Sequence, residues 1–336
     1  MSEVLLGDTN AVATAVRFGL ANWVHYVGGP VQTDTRSYAS RLELTAGAHR
    51  LRLDQVADDW TPDWQEVGYR AGITHIGELT RADGTVMSYA EARGMLEAIF
   101  FWASLLRGAY SAPITAIGRG PDSEALWTQH AAWHVDPWSN DHGALPWPIA
   151  TELDESKPTV EALGRSLNRV AKLLEDEQWK ETLGRAILWL CTANTGQTDG
   201  DLILAQAGLE LLAYVIGTRR GLLTDEAFTK LTAADTIQLA LTTLGISLDI
   251  PVAMQQLSTY AAGRQLNAAQ AVAQIRNTVV HPPTSQKQRH KDLRDHRLKI
   301  QAKRLALTLL ERALLRICDY DGAVWDRAVG RATVSW

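Results

Sequence analysis

The sequence predicts an α+β N-terminal domain followed by an all-α helical bundle, and three observations carry that expectation. Within the first 150 residues, short stretches alternate apolar with polar side chains, the period of strands, whereas later stretches repeat apolar residues at helical spacing. The charge changes at the same place. Residues 1–150 hold 10 Arg, no Lys and 17 acidic residues, a net −7, and residues 151–336 hold 23 basic and 21 acidic residues, a net +2. Tryptophan is split likewise, eight of the 12 lying before residue 150. Such a composition step divides the 336 residues into an α+β domain over 1–150 and a helical domain over 151–336.

In chain order, VRFGLANWVHYV near 16–27 and RLELTAGAHRLRLDQV at 41–56 read as antiparallel strands, with AGAH at a hairpin turn. A further hairpin is predicted in ITHIGELTRADGTVMS, where Ala82, Asp83 and Gly84 interrupt an alternation that places Ile73, His75, Gly77 and Leu79 on one face. Ser88 followed by Glu91 is a capping box, a helical run passes through Met95, Ile99, Trp102 and Leu106, and Gly108 supplies the stop. Residues 109–150, rich in Gly, Pro and Trp, predict one more strand and a long connection. The remainder predicts no strand and six helical stretches, near 158–174, 177–193, 201–217, 224–244, 252–281 and 287–317, the fifth broken near Gly263.

Several classes of protein are excluded or disfavoured. No apolar run approaches the roughly 18 to 20 residues of a membrane span, and the acidic start lacks the basic and apolar regions of a signal peptide, so a soluble cytoplasmic protein without membrane contact is expected. Two distant cysteines, Cys191 and Cys318, allow neither a disulfide scaffold nor a cysteine zinc cluster and read as core residues. His130 and His134 are four apart and would share a metal if their segment were helical, with Asp136 or His142 completing the set. The absent HExxH glutamate and the nearby prolines speak against this, and no metal or cofactor is expected. The GRGP stretch around Gly118 and Gly120 is a turn rather than a phosphate loop, and no Gly-x-Ser-x-Gly elbow occurs. The tryptophans of the first half read mainly as packing residues.

Chemistry concentrates in QIRNTVVHPP, residues 274–283. Arg276 precedes His281 by five positions, Asn277 adds an amide, and the prolines that follow place His281 at a helix terminus. The spacing alone is weak, since Arg70 with His75 repeats it and Arg289 with His296 nearly does. Five positions on a regular helix leave about 140° between two side chains, so Arg276 and His281 should not share a face within one chain. Immediately downstream Lys287, Arg289, Lys291, Arg294, Arg297, Lys299, Lys303 and Arg304 stand against Asp292 and Asp295, a net +6. Such a cluster suits a phosphate backbone, or is simply a solvated helix face. The stripe Leu305, Leu309, Ala313 and Leu314 in the last helix reads as core or dimer interface.

Residues 185–325 resemble a HEPN domain of the abortive-infection (ApeA-like) type, through ILAQAGLELLAYVI, IRNTVVHPP and LALTLLERALLRICDYDGAVWDRA. Arg276, Asn277 and His281 match the Arg-polar-x-x-x-His motif of that family position for position. THIGELTRADGTVMSYAEA and GRGPDSEALW also resemble the domain that accompanies such modules in large bacterial proteins. The resemblance implies a HEPN-like bundle acting as a metal-independent RNA endonuclease. It is usually a homodimer, serves antiphage defence or a toxin system, and leaves 2′,3′-cyclic phosphate ends. On this reading His281 is the general acid or base, Arg276 holds the phosphate, Asn277 supports them, and Lys287, Arg289, Lys291, Arg294 and Arg297 bind RNA. Two facing motifs in a two-fold dimer would remove the 140° difficulty. Gln206 and Glu210 lie four apart on an earlier helix, and the resemblance gives Glu210 a supporting role. Asp199 and Asp201 read as charges at a helix start. The first half would sense or restrain, with a protein trigger as a further partner. The alternative is a catalytically silent dimeric module that binds nucleic acid, nucleotide or a protein trigger.

Overall fold

The structure, a computed structural model, describes residues 3–23, 29–32, 37–56, 72–136, 156–194, 198–281, 295–327 and 331–333. Two compact units emerge, one of Met1–Leu174 with Cys318–Val324, the other of Glu175–Ile317 with Trp325–Trp336. An α+β unit thus precedes a helical one, as expected, but the division falls at Leu174 rather than at residue 150. The reason is the helix Ser156–Leu174, which packs on the sheet of the first unit.

In the first unit eight strands form one antiparallel sheet: β1 Glu3–Gly7, β2 Ala15–Ala21, β3 Gly29–Gln32, β4 Ser37–Ala46, β5 His49–Gln55, β6 Ile73–Arg81, β7 Pro113–Arg119 and β8 Ala125–Ala131. Their spatial order is β1-β8-β7-β2-β6-β5-β4-β3. Helices α1 (Tyr89–Arg107) and α2 (Ser156–Leu174) pack against each other, α1 meeting β7 and α2 meeting β4. The predicted hairpin at AGAH is β4–β5, turning at Gly47 with φ +61°.

The second predicted hairpin does not form. After β6 the chain turns at 82–84, makes a single bridge between Met87 and Ala13, and enters α1 at its Ser88 cap, which leaves no room for a strand. Ser88 accepts from the Glu91 N–H, but the expected reciprocal half of the capping box is replaced. The Glu91 carboxylate takes Arg81 Nη1 at 2.6 Å and His49 Nε2 at 2.8 Å, tying α1 to the β5 and β6 strands. Gly108 ends α1 in the left-handed region, as expected. Where one strand was predicted after residue 109, the β7–β8 hairpin supplies two.

Strand alternation sorts the side chains. Phe18, Leu20, Leu42, Leu44, Leu51, Leu53 and Leu79 are buried, while cross-strand charges meet on the other face. Arg17 and Glu78 pair at 2.8 Å, Arg52 reaches Glu78 at 3.0 Å and Asp54 at 3.5 Å, and Arg41 holds Asp54 at 2.7 Å. Trp23, Trp102 and Trp127 are buried, so these three pack rather than stack bases. Trp23 stacks on Trp102 at 5.0 Å, and Trp102 Nε1 donates to Ser166 Oγ at 2.9 Å, joining α1 to α2. Trp127 lies across Gly118, its register partner, so that a Cβ there would enter the indole. Gly118→Ala is therefore expected to destabilise the first unit by about 1–3 kcal/mol, measured by urea unfolding; an unchanged midpoint would refute this packing.

The second unit contains α3 Glu177–Ala193, α4 Thr198–Arg219, α5 Asp225–Thr229, α6 Ala233–Thr243, α7 Gln255–Ala262, α8 Ala268–Val280 and α9 His296–Ile317. The stretch predicted as one helix over 224–244 is split because Thr232 caps α6 with a full capping box to Asp235. The break predicted near Gly263 separates α7 from α8. Residues 287–294 of the last predicted helix lie outside the described residues. Contrary to the expectation of no strand after residue 150, a short pair joins β9 Val324–Asp326 and β10 Arg331–Thr333.

α4 occupies the centre, packed by α3, α6, α8 and α9. Its 22 residues have the length and apolarity of a membrane span, which corrects the expectation that no such stretch exists, but 61% of the apolar window is buried among neighbouring helices. Leu305, Leu309, Ala313 and Leu314 of α9 are likewise buried. So are both cysteines, and burial pushes the Cys318 thiol up to about 12. Neither is expected to react with a thiol reagent at pH 8 before unfolding; fast labelling of native protein would contradict that burial.

Candidate nucleic-acid site on α8

Helix α8 starts at Asn267, whose side chain accepts from the Gln270 N–H at 3.0 Å while Gln270 Oε1 accepts from the Asn267 N–H at 3.0 Å. This box fixes the helix register eleven residues ahead of its functional end. At that end Pro282 forbids helical geometry to the preceding residue, and His281 has φ −111° and ψ 97°, extended as expected. The His281 N–H still donates to the Asn277 carbonyl at 2.9 Å, so its position continues the helical surface.

Asn277 and His281, four positions apart, line one open cleft of about 600 Å³. Gln274 and Thr278 line the same face, and across from them stand Thr232, Ala233 and Ala234 at the start of α6. Arg276 does not line this cleft, in keeping with the angle that separates it from His281. Its guanidinium Nη1 donates to Asn277 Oδ1 at 3.2 Å, and its buried Nε has no hydrogen-bond partner among the described residues. His281 and Asn277 are exposed, so both can reach a ligand from solvent. The three motif residues are thus adjacent, with Asn277 as the link between arginine and cleft.

Glu210 is half-buried on α4, where it accepts from Gln206 Nε2 at 2.7 Å. α4 packs against α8, but the contact that defines Glu210 is this one with the fully buried Gln206. The expected basic cluster divides into three parts. Lys287, Arg289, Lys291 and Arg294 lie outside the described residues. Lys299 and Lys303 are held by Asp199 at 2.9 Å and Asp201 at 2.5 Å, which makes them partners of the acidic first turn of α4. Arg297 and Arg304 are exposed, seven residues apart, and so fall on one face of α9.

The competing motifs do not gain support. His75 is buried in β6 beside Thr74 Oγ1 at 2.9 Å, and Arg70 lies outside the described residues. His296 begins α9, while Arg289 lies outside the described residues. His130 stands on strand β8 and His134 beyond it, so the helical spacing required for a shared metal is absent; His142 lies outside the described residues. His134 instead contacts Asp136 Oδ1 at 3.1 Å and lies perpendicular to the Tyr110 ring at 4.7 Å. Among the described residues no group of three His, Cys, Asp or Glu side chains could hold a metal.

Sequence reading singled out Arg276, Asn277 and His281 but missed Gln274, Thr278 and the start of α6. The helical signal for the first two was present. Gln270, Gln274, Asn277, Thr278 and His281 follow one another at three-, four- and seven-residue offsets, a polar stripe in an otherwise alanine- and valine-rich helix. The facing wall from α6 depends on a tertiary contact that no local pattern carries.

Comparison with known proteins places both parts of the chain beside one described protein. Residues 176–335 match the family model of the YopA C-terminal domain, starting where the helical unit starts, and residues 8–141 match that of the YopA central domain. Neither is a HEPN model. No solved structure matches the chain. Over 334 residues it is 24% identical to the SPbeta prophage-derived uncharacterized protein YopA of Bacillus subtilis (strain 168), covering 97% of this chain and 72% of that protein, so the chain is similar to YopA across both of its units.

Proposed function

We propose that the helical unit is a metal-independent RNA endonuclease of the HEPN class, acting as a cytoplasmic homodimer. The observation that carries this reading is the end of α8, where exposed His281 and Asn277 share a cleft and Arg276 bonds to Asn277. His281 takes the proton of the 2′-hydroxyl or returns one to the leaving 5′-oxygen. Arg276 holds the non-bridging phosphate oxygens. Glu210 is a more distant supporting group, and Arg297 and Arg304 offer phosphate contacts on the α9 surface. Because Arg276 and His281 of one chain diverge, two facing copies of α8 complete the site, each arginine serving the partner's histidine. A role in antiphage defence or as a toxin, released by a protein trigger, fits a relative described as prophage-derived.

The second reading is a silent dimeric binding module, favoured by the same divergence of Arg276 from the cleft. Purified protein incubated with total tRNA and a structured RNA in EDTA, beside a folded Arg276→Ala, His281→Ala double variant, decides between them. Cleavage by the wild type only, with cyclic phosphate ends, is the expected result. No cleavage by either, in the presence of RNA binding, supports the silent module; equal cleavage by both removes α8 from the chemistry.

A further inference from the structure

We propose that the cleft beside His281 seats one unpaired nucleobase next to the scissile phosphate, read by the side-chain amide of Gln274; the inference rests on the nuclease reading. The cleft's about 600 Å³ lies within the roughly 300–1,000 Å³ of small-molecule sites. Among the described residues its lining carries no carboxylate, ammonium or guanidinium, and His281 is the one titratable side chain. Ala233, Ala234, Leu266 and Ala273 supply small apolar walls, while amides and hydroxyls supply donors and acceptors. That combination suits a neutral planar ring with a hydrogen-bonding edge.

Phosphate fits this space less well. The start of α6 would favour an anion, but its capping box already places the Asp235 carboxylate there, accepting from Thr232 N and Oγ1 at 3.2 and 2.6 Å. The cation of the motif, Arg276, lies outside the cleft, so the phosphate belongs beyond His281 and the base belongs inside.

Which amide reads the base follows from the hydrogen bonds. Gln270 Oε1 already accepts from the Asn267 N–H, and Asn277 Oδ1 accepts from Arg276. Gln274 is exposed in the cleft and its side chain makes no hydrogen bond to the described residues, leaving a donor and an acceptor together for one base edge. From Gln270 to His281 the stripe extends about 16 Å along α8, long enough to set a base and its ribose end to end. A base inside a duplex has its edge occupied and its faces stacked, so entry demands an unpaired or extruded nucleotide.

The test uses the full chain and a non-cleavable 2′-fluoro RNA oligonucleotide with one 2-aminopurine, single-stranded or annealed to its complement. A saturable fluorescence change with the single strand and none with the duplex is expected. Gln274→Ala, with an unchanged melting temperature, is expected to raise Kd at least about fivefold, and Ala234→Phe, which fills the cleft from the α6 wall, to abolish the change. Equal binding of both RNA forms, or an unchanged Kd in both variants, overturns the proposal. Base binding that depends on Gln274 without RNA cleavage would sink the nuclease reading and leave the base seat standing. Cleavage in EDTA that ignores Gln274 and base pairing would do the reverse.

Discussion

Replacing His281 by alanine is expected, for the proposed nuclease, to lower the rate of RNA cleavage by about 10²- to 10⁴-fold, the range of a lost general acid or base. Arg276→Ala should cost a similar factor through lost charge stabilisation on the phosphate. The informative result comes from mixing them. In the proposed dimer each single variant lacks both histidines or both arginines, whereas a mixed dimer keeps one of each. If the two residues act across two chains, equimolar coexpression of Arg276→Ala and His281→Ala should restore activity above either variant alone. Restoration is measured as cyclic-phosphate product per unit of mixed dimer. Activity that stays at the level of the single variants would require both residues from the same chain, which the geometry of α8 does not favour, since Asn277 and His281 share the cleft and Arg276 does not. The sign of the effect separates this arrangement from simple loss of fold, because misfolded variants cannot complement each other.

Much of this end of α8 was legible in the sequence. Asn267 and Gln270 are a cap and its partner by residue type, the 274–281 stripe has helical spacing, and Pro282 dictates the extended backbone of His281. These are local features, decided within a few residues. Features that depend on where distant segments meet were not legible. Lys299 and Lys303 read as part of a free basic cluster, yet Asp199 and Asp201, about 100 residues earlier, occupy them. Glu91 has the spacing of a capping box, yet Arg81 and His49 compete for its carboxylate and win. The helix Ser156–Leu174 has the helical pattern of the second half but belongs to the first unit, because an amphipathic pattern states that one face is buried and not against what. The β7–β8 hairpin was obscured for a related reason: Trp127 and Gln129 are the buried alternate positions of β8, but its flanking Gly, Pro and Trp composition resembles a connection.

A second large effect is expected in the helical unit. Glu311 sits in the C-terminal third of α9 at 3% exposure, with Leu307, Leu310, Leu314 and Leu315 of the same helix also buried. Arg327 meets it with two bonds, Nε to Oε2 at 3.1 Å and Nη2 to Oε1 at 2.9 Å, and its Nη1 donates to Asn194 Oδ1 at 3.1 Å. Asn194 is the C-terminal cap of α3, so one guanidinium joins the segment after β9 to two helices. Removing either charge leaves the other desolvated. Glu311→Ala or Arg327→Ala should therefore destabilise the unit by about 3–5 kcal/mol, read from urea unfolding followed by far-UV circular dichroism. The joint replacement Glu311→Leu with Arg327→Met leaves no orphaned charge and should recover most of that loss. Single-variant costs below about 1 kcal/mol, the range of an exposed pair, would show that water reaches the site and that the segment after α9 is not anchored there. If the large cost is found, the pair does more than add stability. It holds the last turns of α9, the same helix that presents Arg297 and Arg304, so a loss of the proposed RNA binding in the single variants that returns in the joint variant would trace to position rather than to charge.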